Sequence, residues 1–188
     1  MAMNMLHEWK QSCLQRQCGQ AVRTVSARTW CRPQQGWVKV NTDAAVFEEA
    51  GYTGIRCVIR NEHGDFVRAR NQRIEAVYQP REAEALGLKE ALSWVKSFGY
   101  KKCVFETYAK MLAEACKKIE GRAYFHSIVS CCIDLFEHYD EVLVEFVNRS
   151  ANEVANKLAR AIHSMSDIHE WVDTAPNFIS DVLIIDSI

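Results

Sequence analysis

The chain is poor in proline and glycine, with three and eight among 188 residues, which excludes collagen-like and Pro/Gly-rich disordered architectures. No apolar run approaches the ~18 residues that a membrane-spanning helix requires, so no membrane association is expected. A net charge is also nearly absent: 23 Lys and Arg face 24 Asp and Glu. That balance excludes a global positive field of the kind that drives non-specific nucleic-acid binding. The Met-rich start has neither a sustained apolar stretch nor a cleavage pattern. The eight cysteines are therefore expected to be reduced thiols of an intracellular protein, cytoplasmic or nuclear. Cys-x-x-Cys does not occur, and His7, Cys13, Cys18 and Cys31 lack the spacing of zinc ligands.

What the chain does have is 48% apolar residues, enough for one packed domain with tails. Charge is unevenly spread along it. The start carries Lys10, Arg16, Arg23, Arg28 and Arg32 against Glu8 alone, while the segment from Ser164 onward holds five acids and no Lys or Arg. The expected organisation is a basic N-terminal arm over 1–35, a charge-balanced domain over 36–165, and an acidic C-terminal tail over 166–188 that packs on or follows the domain.

From Trp37 to Phe47 apolar Val38 and Val40 alternate with Lys39, Asn41 and Asp43, a period of two that predicts a strand with Asp43 on its more polar side. Two more β-rich stretches, 54–60 and 66–77, flank the turn Asn61-Glu62-His63-Gly64-Asp65 and complete a meander. After Pro80 the period becomes about 3.6: Ala85, Leu88, Ala91, Leu92 and Val95 share one helical face, and Gly99 ends the helix. A strand over 102–106 follows. A helix with Met111, Leu112, Ala115, Cys116 and Ile119 inward then runs to Gly121, and another spans 125–138. A strand over 142–147 precedes a last helix, 152–163, burying Val154, Leu158 and Ile162. The order βββαβααβα predicts an α/β fold with a mixed five-stranded sheet and helices on its faces.

On this map Asp43 lies in the first strand, Glu84 in the first turn of the first helix, and Glu106-Thr107-Tyr108 at the end of the fourth strand. If the first and fourth strands are neighbours, these places converge. Carboxylates on rigid elements suit Mg²⁺, which takes oxygen ligands and keeps waters that phosphates displace. Two such ions would activate water and stabilise a leaving oxygen in phosphodiester hydrolysis. Taken singly, Asp43 is equally well an ordinary strand acid, and Glu84 an acid favoured by a helix dipole.

Five co-linear segments, 37–45, 57–64, Glu82-Ala-Glu-Ala-Leu-Gly-Leu-Lys-Glu-Ala-Leu92, Val104-Phe-Glu-Thr107 and 146–160, resemble the plant-type ribonuclease H-like domain of reverse-transcriptase-derived proteins. Trp171, Pro176, Ile179 and Asp186 are spaced as in that family's tail. The resemblance implies a ribonuclease H-like fold and four acids that hold Mg²⁺, or Mn²⁺, to cleave the RNA strand of RNA–DNA hybrids. The first two acids fall on Asp43 and Glu84, the implied metal ligands. At the third position stands Tyr108, and at the fourth Asn156, so both catalytic positions are degenerate. A phenol of pKa ~10 is neutral at pH 7, and an amide is a poor base. The second ion loses its main counter-charge.

The function expected is therefore that of a hybrid-binding, ribonuclease H-like domain with impaired hydrolysis and a weak or lost metal site. Its grip on RNA–DNA hybrid or other nucleic acid should be weak and salt-sensitive. Two alternatives are an active metal-dependent ribonuclease H, rescued by Glu106, and a protein-interaction module whose partner uses the arm or the tail. Arg149 and Asn152 form an Arg-x-x-Asn element expected to hold the last helix near the site or to cap it. Lys117, Lys118 and Arg122 are read as a solvated face.

Overall fold

The computed structural model describes residues 29–117, 124–158 and 168–186. The arm as far as residue 28, with His7, Cys13 and Cys18, and the positions Lys118, Ile119, Gly121, Arg122 and Ile162 lie outside the described residues.

Strands β1 (Val38–Phe47), β2 (Tyr52–Arg60) and β3 (Phe66–Ile74) form the expected antiparallel meander. The β2–β3 turn is closed by Asn61, whose Oδ1 accepts hydrogen bonds from the backbone of His63 and Asp65, both at 2.9 Å, the local bonding for which Asn is favoured in turns. Helix α1 (Pro80–Lys96) starts with proline at its first position and with the Glu82 carboxylate accepting the Gln79 N–H at 3.3 Å. Gly99, at φ 77°, follows it in a conformation that costs glycine nothing. Strand β4 (Lys102–Thr107), the short α2 (Lys110–Ala115), α3 (Tyr124–Phe136) and β5 (Glu141–Phe146) come next. A 3₁₀ turn (Arg149–Asn152) leads into α4 (Glu153–Leu158), and β6 (Ile168–Val172) and α5 (Asn177–Asp186) complete the described residues.

The sheet has the order β5-β4-β1-β2-β3-β6, with β1, β4 and β5 parallel and the other pairings antiparallel. It thus has six strands where the periodicity predicts five. The sixth, β6, covers the outer edge of β3 and satisfies its backbone groups. Four of its five residues are exposed, so no core-facing alternation marks it in the sequence.

Adjacent strand residues point to opposite faces, and the two faces differ in chemistry. Val40, Ile59 and Phe105 on one face pack with Leu88 and Leu92 of α1 and Cys132 of α3. On the other face Val58 and Ala69 meet Val154 and Leu158 of α4 and Ile179 and Val182 of α5. That second face also carries Lys39, Asn41, Arg60 and Glu106, all buried. Burying such groups is tolerable only when they are paired, and here they are. Lys39 Nζ lies 2.7 Å from Glu106, Asn41 donates to Glu106 at 2.8 Å and to Asn152 at 3.0 Å, and Arg60 reaches both Asn41 and Asp186 at 2.7 Å. Trp30 lies over Arg60, 3.4 Å from ring centroid to guanidinium carbon, a cation–π contact. The same indole closes over Gly64, where a Cβ would stand 3.5 Å from the ring.

Candidate active site

Three pieces of local architecture bring the predicted acids together. The parallel pairing of β1 with β4 puts Asp43 near the end of β4. Helix α1 crosses β1 at Gly87, where a Cβ would stand 3.5 Å from Ala44 Cβ and 3.8 Å from the Asp43 carbonyl. That close approach seats Glu84, one turn earlier on the same helical face, against the strand. The 3₁₀ turn is fastened to β1 by Asn152, which is fully buried and donates to the Thr42 carbonyl at 2.9 Å. Asn152 thus holds the start of α4 against the strand that carries Asp43. Asp43, Glu84, Tyr108 and Asn156 consequently line one cavity of about 1180 Å³.

The chemistry at those four positions is unequal. Asp43 is 5% exposed, and its Oδ2 accepts from Arg56 Nη1 at 2.7 Å. Burial lifts its pKa above the ordinary carboxylate range, and Arg56 and, more weakly, Arg149 oppose that rise. Glu84 is 8% exposed, and its Oε2 has no hydrogen-bond partner among the described residues. Its pKa is pushed up to about 8, first by burial and then by the Asp43 charge. Tyr108 follows the last residue of β4 and is 43% exposed. Asn156 is half-buried, and its amide donates to the carbonyls of Asn152 at 3.1 Å and Arg149 at 3.5 Å.

Glu106 does not rescue the third position. It is held by Lys39 and Asn41 on the second face of the sheet and does not line the cavity. Strand periodicity does not mark Arg56, although the hairpin register that sets Phe47 opposite Tyr52 also sets Asp43 directly opposite Arg56. Opposite charges facing each other across an antiparallel pair were the available signal.

These residues do not fit a pair of divalent ions. Among the described residues no group of three His, Cys, Asp or Glu could hold a metal ion. One of the two carboxylates already carries a guanidinium. Freeing Asp43 for an ion would strand Arg56, which is 1% exposed, and stripping a buried charge of its partner costs about 3–5 kcal/mol.

A model of the family described as reverse transcriptase-like matches residues 41–162. Ribonuclease H1 from the archaeon Halobacterium salinarum is similar in structure, with a TM-score of 0.62 at 18% identity, covering 69% of this chain and 99% of that one. So is the N-terminal ribonuclease H domain of a Mycobacterium tuberculosis protein, with a TM-score of 0.59 at 19% identity, covering 68% and 94%. A ribonuclease H1 called LC11, isolated from compost and solved with an RNA/DNA hybrid, gives 0.60 at 17% identity, covering 68% and 97%. At these identities the likeness establishes a ribonuclease H fold. The comparison with curated proteins finds no match.

Proposed function

Because the chain belongs to the reverse transcriptase-like family and has a ribonuclease H-like fold, we propose that it binds RNA–DNA hybrids in the Asp43 cavity and hydrolyses them poorly or not at all. The observation that carries this reading is the Arg56–Asp43 ion pair at 2.7 Å, made where the family resemblance implies a metal ligand. Tyr108 and Asn156 support it from the same cavity, since a phenol and an amide stand there in place of carboxylates. Binding rests on the basic side chains at the cavity wall, Arg81, Lys110, Arg149 and Lys157. Phosphate contacts of that kind weaken as salt rises.

The test is a labelled RNA–DNA hybrid incubated with the native protein in Mg²⁺ or Mn²⁺, with binding followed by anisotropy across a salt series. Saturable binding that weakens with salt, without product, is expected. Tyr108→Asp alone should stay inactive, because Arg56 still holds Asp43. Robust cleavage by the native protein, abolished by Asp43→Asn, overturns the catalytic half of the reading. Failure to bind hybrid even at low salt overturns the other half and favours the protein-interaction module.

A further inference from the structure

We propose that Arg56 is a resident cation: it has taken over the two-carboxylate site from a divalent ion, and hybrid binding by this domain is in consequence independent of metal. The second clause rests on the hybrid-binding reading above; the first does not.

Arg56 occupies the electrostatic position that an ion would hold. Its Nη1 bonds Asp43 Oδ2 at 2.7 Å, and its positive charge also opposes the rise in the Glu84 pKa. The arrangement is built into the backbone, because Arg56 stands directly across the β1–β2 ladder from Asp43, and both side chains are buried. Arg56 Nε and Nη2 and Glu84 Oε2 have no hydrogen-bond partner among the described residues. The charge balance of the wall agrees. Arg56 joins Arg81, Lys110, Arg149 and Lys157, five positive groups against the four acids Asp43, Glu48, Glu84 and Glu153, of which Glu84 keeps its proton at neutral pH. A site that seats divalent ions needs an excess of negative charge, whereas a phosphate backbone is attracted to this wall directly. Guanidinium groups are suited to it, being weakly hydrated and always charged.

Two measurements on the intact chain test the proposal. Mn²⁺ binding is followed by electron paramagnetic resonance for the native protein, Asp43→Asn and Arg56→Met. Hybrid affinity of the native protein is measured in EDTA and in Mg²⁺ at matched ionic strength. The native protein should leave Mn²⁺ free in solution, and its hybrid Kd should agree within about twofold between the two buffers, below the tenfold that 1.4 kcal/mol represents. Arg56→Met should gain a bound Mn²⁺ signal; if it does not fold, the native measurements decide. A native Mn²⁺ site lost in Asp43→Asn, or a tenfold gain in hybrid affinity on adding Mg²⁺, overturns the proposal. If no hybrid binds in either buffer, hybrid binding itself is refuted, and the Mn²⁺ result alone decides whether Arg56 is the resident cation.

Discussion

Asp186→Ala should destabilise the fold by about 3–5 kcal/mol, the usual cost of removing one partner from a buried ion pair. Arg60 is fully buried, and Asp186 Oδ2 lies 2.7 Å from its Nη1. Burial disfavours the charged guanidinium, and Asp186 is the largest influence opposing that effect. With Asp186 removed, Arg60 retains the Asn41 amide oxygen and the Trp30 ring, neither of them negative, and a weaker influence from Glu106, whose carboxylate Lys39 already pairs. Urea denaturation should show a lower midpoint at unchanged slope. Asp181→Ala is the control, because that carboxylate pairs with Lys157 in open solvent and its loss should leave the midpoint near native. Equal midpoints for the native protein and Asp186→Ala would show that the Arg60 pair contributes nothing.

Glu84 should make stability fall as pH rises. Its folded pKa is about 8 against an ordinary 4.5, so below pH 4.5 both folded and unfolded chains hold the proton and the group is neutral in the balance. Between the two values the unfolded chain releases the proton while the folded chain keeps it. Each pH unit in that window favours unfolding by up to about 1.4 kcal/mol, on the order of 4 kcal/mol by pH 8, after which the curve is flat. Glu84→Gln keeps the shape of the protonated side chain and removes the titration. It should match the native protein near pH 4.5 and exceed its stability by several kcal/mol at pH 8, read by urea denaturation at each pH. Parallel pH profiles for the two proteins would exclude Glu84 as the source.

Elements with one apolar face are legible in the sequence. Helix α1 announces itself through Ala85, Leu88, Leu92 and Val95, all buried as its period requires, and β1 through Val38 and Val40. Periodicity places Asp43 on the polar side of β1 without revealing its burial, because α4 and α5, which cover that face, come from more than 100 residues away. Strand β6 is silent in the sequence because an exposed edge strand needs no apolar alternation. The four site positions were found by family resemblance, and the structure brings all four to one cavity. The Arg56 pairing was missed because strand periodicity shows which residues share a face but not which residue stands opposite on the next strand; the hairpin register supplies that.

The pairing of Arg60 with Asp186 spans 126 residues. A ribosome adding ~5–20 residues per second takes roughly 6–25 s to cover that stretch, and throughout it a nascent chain carries the Arg60 guanidinium without its carboxylate. The charged face of the meander therefore closes late during synthesis. Until α5 emerges, Arg60 lacks the carboxylate that it has in the folded chain.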